Sequence, residues 1–206
     1  MSDERAKRRS RTTFDRLAAN YENTLAGWHS RRMKEAALQR LGSRVHGPLL
    51  DIGCGPGLLL QTLAERDPAM FLAGLDISPE MIRIAKEGLG PRADLRVGDA
   101  ETLPWEGARF DCLVCVDSFH HYPHPQAALA EMHRVLRSGG RLVVADPTAP
   151  PIIRQLANIV NPLLGMGDVR MYGPREMKRM LEAQGFEQVE WSTVGIWGFV
   201  ATAVAG

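Results

Sequence analysis

The sequence has 206 residues, of which 45% are hydrophobic and 24% are charged, with a formal net charge of +1 at pH 7. This composition suits a single soluble domain with a sizeable core, and so small a net charge argues against a nucleic-acid partner. No apolar run reaches the roughly 20 residues of a membrane span, and three cysteines without framework spacing favour a reducing, cytoplasmic location.

The chain begins with a basic stretch, and we expect residues 1–12 to form a disordered tail. An apolar stripe at helical spacing follows and includes Phe14 and Tyr21, so a first helix is predicted there. A second helix is predicted from about 28 to 41, ended by a glycine. Residues 13–45 would then form a helical cap that precedes the first strand.

A short apolar strand, an acid and three glycines at alternate positions come next, in the order Leu49-Leu50-Asp51-Ile52-Gly53-Cys54-Gly55-Pro56-Gly57. Glycine lets a backbone turn sharply and approach a ligand, and the helix that follows presents unpaired N–H groups. The pattern is typical of a nucleotide-like ligand. The dinucleotide fingerprint has a small residue at the sixth position from Gly53, where this chain has Leu58, and this disfavours a nicotinamide dinucleotide.

Two further acids follow the next two predicted strands. Asp76 ends a buried strand about 20 residues after the glycine turn, where a carboxylate can accept from both ribose hydroxyls. A helix starts at Ser78, and Met81 on it is either core or part of a ligand wall. Asp99 follows the third strand at 95–97; because it shares the same sheet edge as Asp76, ligand binding is favoured over a simple turn role.

The fourth strand, predicted at 110–117, is almost continuously apolar, as a parallel strand buried on both faces should be. Cys112 and Cys115 lie three residues apart and would point to opposite faces, which favours core packing over a metal or redox pair. The loop after this strand contains His120, His121 and His124.

A histidine in this loop could accept a proton from an acceptor hydroxyl or amine, or the loop could only shape the pocket. The sequence leaves both readings open and places His120 and His121 ahead of His124 as the general base. No carboxylate follows within the loop, so we expect no metal there.

The last third of the chain carries a fifth strand at 141–146, an apolar helical stripe, and two strands joined near Gly195. The insert at 150–172 either packs on the core or forms an apolar lid over the acceptor. The final two strands have no helix between them and must pair antiparallel.

As a set, these motifs resemble the class I S-adenosylmethionine-dependent methyltransferases of small molecules, and within them the ubiquinone/menaquinone-biosynthesis group. The stretches that carry the resemblance are the N-terminal phrase 14–22, the glycine turn 51–57, Asp76, Gly98-Asp99-Ala100, the histidine loop, and the turn at Gly139-Gly140. The resemblance implies one methyltransferase domain over 13–206. Its expected fold is doubly wound α/β, with a seven-stranded, mostly parallel sheet in the order 3-2-1-4-5-7-6, a C-terminal antiparallel hairpin and added N-terminal helices.

The resemblance also implies transfer of a methyl group from S-adenosylmethionine to a small, apolar or aromatic acceptor at carbon, oxygen or nitrogen, leaving S-adenosylhomocysteine. Asp51 would orient the methionine amine, Asp76 would hold the ribose, and Asp99 with the next backbone N–H would hold the adenine. Core packing is the alternative for the tyrosine of the N-terminal helix. The expected cofactor-binding residues are Tyr21, Asp51, Gly53, Cys54, Gly55, Gly57, Asp76, Ile77, Met81, Asp99, Ala100 and Asp117.

The C-terminus departs from the quinone enzymes, which usually end in a Gly-Gly-containing strand with a later basic residue. Residues 195–206 carry no charge, so we expect an unspecified apolar acceptor rather than a quinone precursor. A nicotinamide-dependent oxidoreductase and a non-catalytic S-adenosylmethionine-binding protein are the alternative functions. A homodimer is left open.

Overall fold

The computed structural model describes residues 3–42, 47–164 and 168–206, and within these ranges the strands form one seven-stranded sheet. Its order is β3-β2-β1-β4-β5-β7-β6, and β7 runs antiparallel to both of its neighbours while the other pairings are parallel. The predicted order and the C-terminal hairpin are confirmed. The strands are β1 Leu49–Ile52, β2 Leu72–Asp76, β3 Ala93–Val97, β4 Phe110–Val116, β5 Leu136–Pro147, β6 Phe186–Val194 and β7 Gly198–Ala205.

Helices flank the sheet and precede it, as a doubly wound fold requires. They are α1 Asp3–Leu17, α2 Leu25–Leu41, α3 Leu58–Arg66, α4 Pro79–Leu89, α5 Pro125–Val135, α6 Pro151–Leu164 and α7 Pro174–Ala183. Short 3-10 helices span Ala18–Asn23, Gly90–Arg92 and Phe119–His121. Caps explain two helix starts: Thr24 accepts from the Gly27 N–H at 3.0 Å, and Ser78 accepts from the Met81 N–H at 3.1 Å.

The central strands separate two apolar layers. All four residues of β1 are buried, and those that alternate along β1 and β4 join different core clusters on the two faces of the sheet. Cys112 packs in one cluster and Cys115 in the other. The prediction that these cysteines belong to the core and point apart is therefore confirmed.

The N-terminal segment corrects one expectation. Residues 3–12 are helical rather than a disordered tail, because α1 buries one side of its first turns against the body of the protein. Ala6 and Ser10 are buried, and Lys7 forms ion pairs with Asp99 and Glu101. Residues 1 and 2 of the expected tail, residues 43–45 of the expected cap and residues 165–167 of the expected insert lie outside the described residues.

The insert after β5 corrects a second expectation. Its helix forms as predicted, as α6, but the apolar stripe faces solvent instead of the core. Polar positions of the helix face the protein: Asn158 makes two hydrogen bonds with the backbone of Met171. Hydrophobic periodicity predicted the helix, but it does not determine which face turns inward.

Candidate cofactor and acceptor site

A cleft lies at the carboxyl edge of the parallel strands, bordered by the segments that follow β1 to β4 and covered by α1, the 3-10 helix after it and α2. Most of the predicted site residues meet there. Those that line it are Tyr21, Asp51, Gly53, Cys54, Gly55, Asp76, Ile77, Met81, Asp99, Ala100, Asp117 and His121. Gly57 and His120 are the two predicted residues that do not line this cleft.

Two of the three glycines in the turn combine a positive φ with a close approach from a neighbouring residue. A Cβ on Gly53 would lie 2.0 Å from Ser118 Oγ, and its φ of 72° also favours glycine. A Cβ on Gly57 would lie 3.0 Å from Ala85 Cβ and from Leu89 Cδ1, both on α4. Gly57 therefore contributes to the packing of α3 against α4, and it is not among the residues that line the cleft.

Asp76 is held in place by backbone N–H groups on both oxygens. Gly55 N–H donates to Oδ2 at 2.8 Å, and Ser78 N–H donates to Oδ1 at 2.9 Å. Burial raises the pKa of Asp76 to about 6, although these N–H groups favour the ionised form. A carboxylate has about four acceptor positions, so Asp76 retains capacity to accept from a diol in the cleft.

Asp51 is buried at the end of β1, and its Oδ1 has no hydrogen-bond partner in the described structure. Burial raises the pKa of Asp51 to about 7, an effect that the charge of Lys34 partly opposes. A buried carboxylate oxygen without a donor is costly unless a ligand supplies one. Its chemistry therefore fits an ammonium group in the cleft.

Asp99 is joined to the N-terminal helix by Lys7, a residue that the sequence analysis assigned to a disordered tail. Lys7 Nζ lies 2.6 Å from Asp99 Oδ2 and also pairs with Glu101. The Glu101 N–H donates to Asp99 Oδ1 at 2.9 Å. The only available sequence signal was the spacing of Ala6, Ser10 and Phe14, which marks the inward side of α1, and the basic composition masked it.

The N-terminal helices also cover the opposite part of the cleft. Tyr21 is buried, lines the cleft and shares a hydrogen bond with Ser30. The Phe14 ring meets Tyr21 edge-on with centroids 6.2 Å apart and meets His121 at 5.1 Å. Ser78 Oγ donates to Asp15 at 2.6 Å, which ties α1 to the start of α4. Tyr21 therefore packs in the core and also lines the cleft.

His120 lies behind the cleft, between two carboxylates. Its Nδ1 is 3.0 Å from Oδ1 of the fully buried Asp146, and its Nε2 is 3.7 Å from Asp168 Oδ1. Burial lowers the pKa of His120, but the charges of Asp146, Asp117 and Asp168 outweigh it and raise the pKa to about 9. His120 is therefore a cation at neutral pH and a poor proton acceptor.

His121 lines the cleft itself, and its Nδ1 lies 3.4 Å from Asp168 Oδ1. The two histidine rings pack with centroids 3.9 Å apart. Asp168 reaches them from the segment after α6, where the N–H groups of Val169 and Arg170 donate to the His120 carbonyl. Sequence reasoning missed Asp168, because only the tertiary fold brings it to the loop.

Two groups of ligand-type atoms converge here within 4.8 Å: His120, His121 and Asp168, and also Asp117, His120 and Asp146. The structure therefore supplies, from Asp168, Asp117 and Asp146, the carboxylates that the histidine loop lacks in sequence. The charges of Asp146, Asp117 and Asp168 raise the pKa of His120 to about 9, so a metal ion would have to displace a ring proton in order to bind His120.

Comparisons with known proteins agree with this geometry. The family model described as a methyltransferase domain matches residues 50–144. A demethylmenaquinone methyltransferase of Thermus thermophilus is 31% identical over 190 residues, a match that covers 81% of this chain and 84% of that protein. An uncharacterised 37.1 kDa protein in transposon TN4556 of Streptomyces fradiae is 41% identical over 122 residues, covering 57% of this chain and 35% of that protein. The chain thus spans about a third of the transposon protein's length.

Solved structures share the fold. Phosphoethanolamine N-methyltransferase 2 of Haemonchus contortus, in complex with S-adenosyl-L-methionine, superposes with a TM-score of 0.71 at 15% identity, over 93% of this chain and 60% of that chain. The sheet order, the glycine turn and the relative from Thermus thermophilus all point to one family. The chain belongs to the class I S-adenosylmethionine-dependent methyltransferases and resembles, within them, the enzymes of ubiquinone and menaquinone biosynthesis.

Proposed function

We propose that this protein transfers the methyl group of S-adenosylmethionine to a small apolar or aromatic acceptor and releases S-adenosylhomocysteine. The observation that carries the proposal is the convergence of Asp51, Asp76 and Asp99, from three strand ends, on the cleft that also contains His121. Consecutive strand ends at the carboxyl edge are where open α/β sheets bind their ligands. The sulfonium of the cofactor supplies an already activated methyl group.

Each carboxylate has a proposed role that follows from its surroundings. Asp76 accepts from the ribose hydroxyls, because its orientation is fixed by two backbone N–H groups. Asp51 receives the ammonium of the methionine portion, the donor that its buried Oδ1 lacks. Asp99 and the backbone of Ala100 hold the adenine, beside the Lys7 ion pair.

The other cleft residues shape the space around the cofactor. Met81 and Ile77 give the purine an apolar wall, and the glycine turn with Cys54 lets the backbone lie close to the methionine portion. Tyr21 and Asp117 border the same cleft. Asp117 holds a left-handed backbone conformation, with φ of 54°, at the end of β4, where strained residues tend to serve sites.

Methyl transfer from an activated sulfonium depends on in-line approach of the acceptor and on exclusion of water more than on a strong general acid or base. His121 is the proposed proton acceptor, because it borders the cleft while His120 lies behind it. Asp168 Oδ1 lies 3.4 Å from His121 Nδ1, and we propose that its charge favours the tautomer whose other nitrogen accepts the proton. His120 serves as a buried cation that fixes the loop.

The test combines binding with turnover. Calorimetry should show that S-adenosylhomocysteine binds the wild type and binds an Asp76→Ala variant much more weakly. A radiolabelled-methyl assay across phenols, amines and quinols should yield a labelled product. Binding without product on any acceptor would favour a non-catalytic S-adenosylmethionine-binding protein, and a tight titration with NADH would favour the oxidoreductase alternative.

Other expectations remain proposals of the same kind. We propose a cytoplasmic location, consistent with the free, buried state of Cys54, Cys112 and Cys115, and a homodimer that sedimentation would test. We also propose that residues 13–206 act as one domain, with a helical cap at 13–45.

A further inference from the structure

We propose that α6 and the tip of the β6–β7 hairpin bind the surface of an anionic lipid bilayer. The apolar platform consists of Ile152, Ile153, Leu156, Ile159 and Val160 on α6, and Ile196 and Trp197 on the hairpin tip. In this arrangement α6 lies in the plane of the headgroups with its apolar residues in the lipid. This surface lies outside the cleft, and none of its residues lines the cleft.

The orientation of α6 is the first observation. Ile152, Leu156 and Ile159 are 74%, 60% and 67% exposed, whereas the polar Arg154, Asn158 and Asn161 are half-buried against the protein. A surface helix of a globular protein normally shows the reverse arrangement. Contiguous exposed apolar residues of this kind mark an interaction surface.

Hydrogen bonds hold the helix in this orientation. Asn158 Nδ2 donates to the Met171 carbonyl at 2.9 Å, and the Met171 N–H donates to Asn158 Oδ1 at 2.8 Å. Arg154 Nη1 donates to the Ala149 carbonyl at 3.0 Å. Turning the apolar face inward would break the two Asn158 bonds and bury the polar groups, so the outward face is a specified feature of the fold.

The hairpin tip extends the platform. Ile196 and Trp197 are 67% and 53% exposed, and the Thr148 N–H donates to the Trp197 carbonyl at 3.1 Å. This bond joins the tip to the segment that leads into α6. Exposed tryptophan beside aliphatic residues is typical of a membrane interface, where the ring sits at headgroup level.

The charged residues around the platform favour an anionic partner. The groove between α6, α7 and the hairpin is lined by Arg154, Arg175 and Arg179 with one acid, Glu176, and α6 itself has no acidic residue. Glu176 is paired with Arg170. A surplus of arginines beside an apolar helix face fits anionic lipid headgroups.

The dimensions favour a helix that lies on the bilayer rather than across it. The 14 residues of α6 span about 21 Å, less than the roughly 30 Å hydrocarbon core. Among the described residues, no helix has the length and apolar character to cross a membrane. Because Pro147 at the end of β5 pairs with Gly198 at the start of β7, the platform lies at the sheet edge that carries the cleft.

Vesicle flotation of the full-length protein tests the proposal. We expect it to float with vesicles of phosphatidylcholine mixed with phosphatidylglycerol and to float poorly with phosphatidylcholine alone. A Leu156→Gln/Ile159→Gln variant should bind these vesicles about tenfold more weakly, since two apolar side chains that would be buried in the lipid are lost. Phe71→Gln, at an exposed apolar position just before β2 at the opposite sheet edge, should bind like the wild type.

Charge and self-association are tested separately. An Arg175→Gln/Arg179→Gln variant should bind anionic vesicles more weakly and with a smaller dependence on salt. Circular dichroism confirms that each variant is folded. Equal flotation of wild type and the α6 variant would overturn the proposal, as would a sedimentation dimer that the α6 substitutions abolish, because a second copy would then cover the platform.

Discussion

Asp168 Oδ1 lies 3.4 Å from His121 Nδ1, although no sequence motif links the two residues. The same oxygen lies 3.7 Å from His120 Nε2, so one carboxylate lies close to two adjacent rings that have different environments. His120 is also engaged by Asp146, whereas His121 borders the cleft. This division separates a ring that fixes the loop from a ring that can take part in chemistry.

An Asp168→Asn variant should lower kcat by roughly 10- to 100-fold, because the carboxylate that orients the His121 ring is lost. The KM for S-adenosylmethionine should be unchanged, since Asp168 does not line the cofactor cleft. Steady-state kinetics of methyl transfer measures both constants. Glu176→Gln, a change of an acid that pairs with Arg170 instead, is the matched control. A rise in the KM for S-adenosylmethionine as large as the fall in kcat would assign Asp168 to cofactor binding.

The His120–Asp146 pair should control stability and its dependence on pH. Because the pKa of His120 is raised from 6.5 to about 9, its stabilising contribution is complete below pH 6.5 and is lost as the pH rises through 9. His120→Gln should remove this slope and should cost about 3 kcal/mol, since Asp146 remains as an unpaired buried charge. Urea denaturation across this pH range provides the measurement.

The double variant His120→Gln/Asp146→Asn is the control for that experiment. It removes both charges, so it should recover part of the stability lost in the single variant. Additive losses would show that the two side chains do not interact.

Asp51→Asn should stabilise the ligand-free protein while weakening cofactor binding. Burial raises the pKa of Asp51 from 3.8 to about 7, so the cost of ionising it in the folded state grows as the pH rises through this window. Above pH 7 the variant should be more stable by roughly 1 to 3 kcal/mol. Thermal unfolding without ligand and calorimetry with S-adenosylhomocysteine give the two readouts. A variant that is less stable at high pH would contradict the argument.

Lys7→Ala should loosen α1, because Lys7 ties this helix to Asp99 and Glu101. The amides of residues 3–17 should exchange hydrogen roughly fivefold faster, as expected for loss of a partly exposed ion pair worth about 1 kcal/mol. Lys178→Ala, which removes a pair with Glu182 on the exposed side of α7, should leave this exchange unaltered. Unchanged exchange in Lys7→Ala would mean that apolar contacts alone hold α1.

Treatment with a chelator should leave methyl transfer unchanged. The ring nitrogens of His120 face Asp146 and Asp168, whose charges raise the pKa of the ring to about 9, so a metal ion would have to compete with a ring proton for this histidine. Activity before and after dialysis against EDTA, with elemental analysis of the purified protein, checks this. Loss of activity that returns with one divalent metal would instead assign the histidines and Asp168 to a metal centre.

The sequence predicted what depends on local pattern. Asp51, Asp76 and Asp99 each follow a recognisable strand, and parallel strands necessarily bring their carboxyl ends together. Lys7 and Asp168 could not be placed in this way, because each reaches the site through the packing of a distant segment. The direction of the apolar face of α6 was equally inaccessible, since it depends on which partner the helix meets.

The contact between Gly57 and α4 has a consequence beyond local packing. Ser78 caps α4 and also donates to Asp15, and its own N–H fixes the Asp76 carboxylate. A methyl group at position 57 would push against Ala85 and Leu89, and any shift of that helix would displace the Asp76 carboxylate and the anchor of α1 together. The missing Cβ of Gly57 thus affects the distance between the glycine turn and α4, and with it the relative positions of Asp76 and α1.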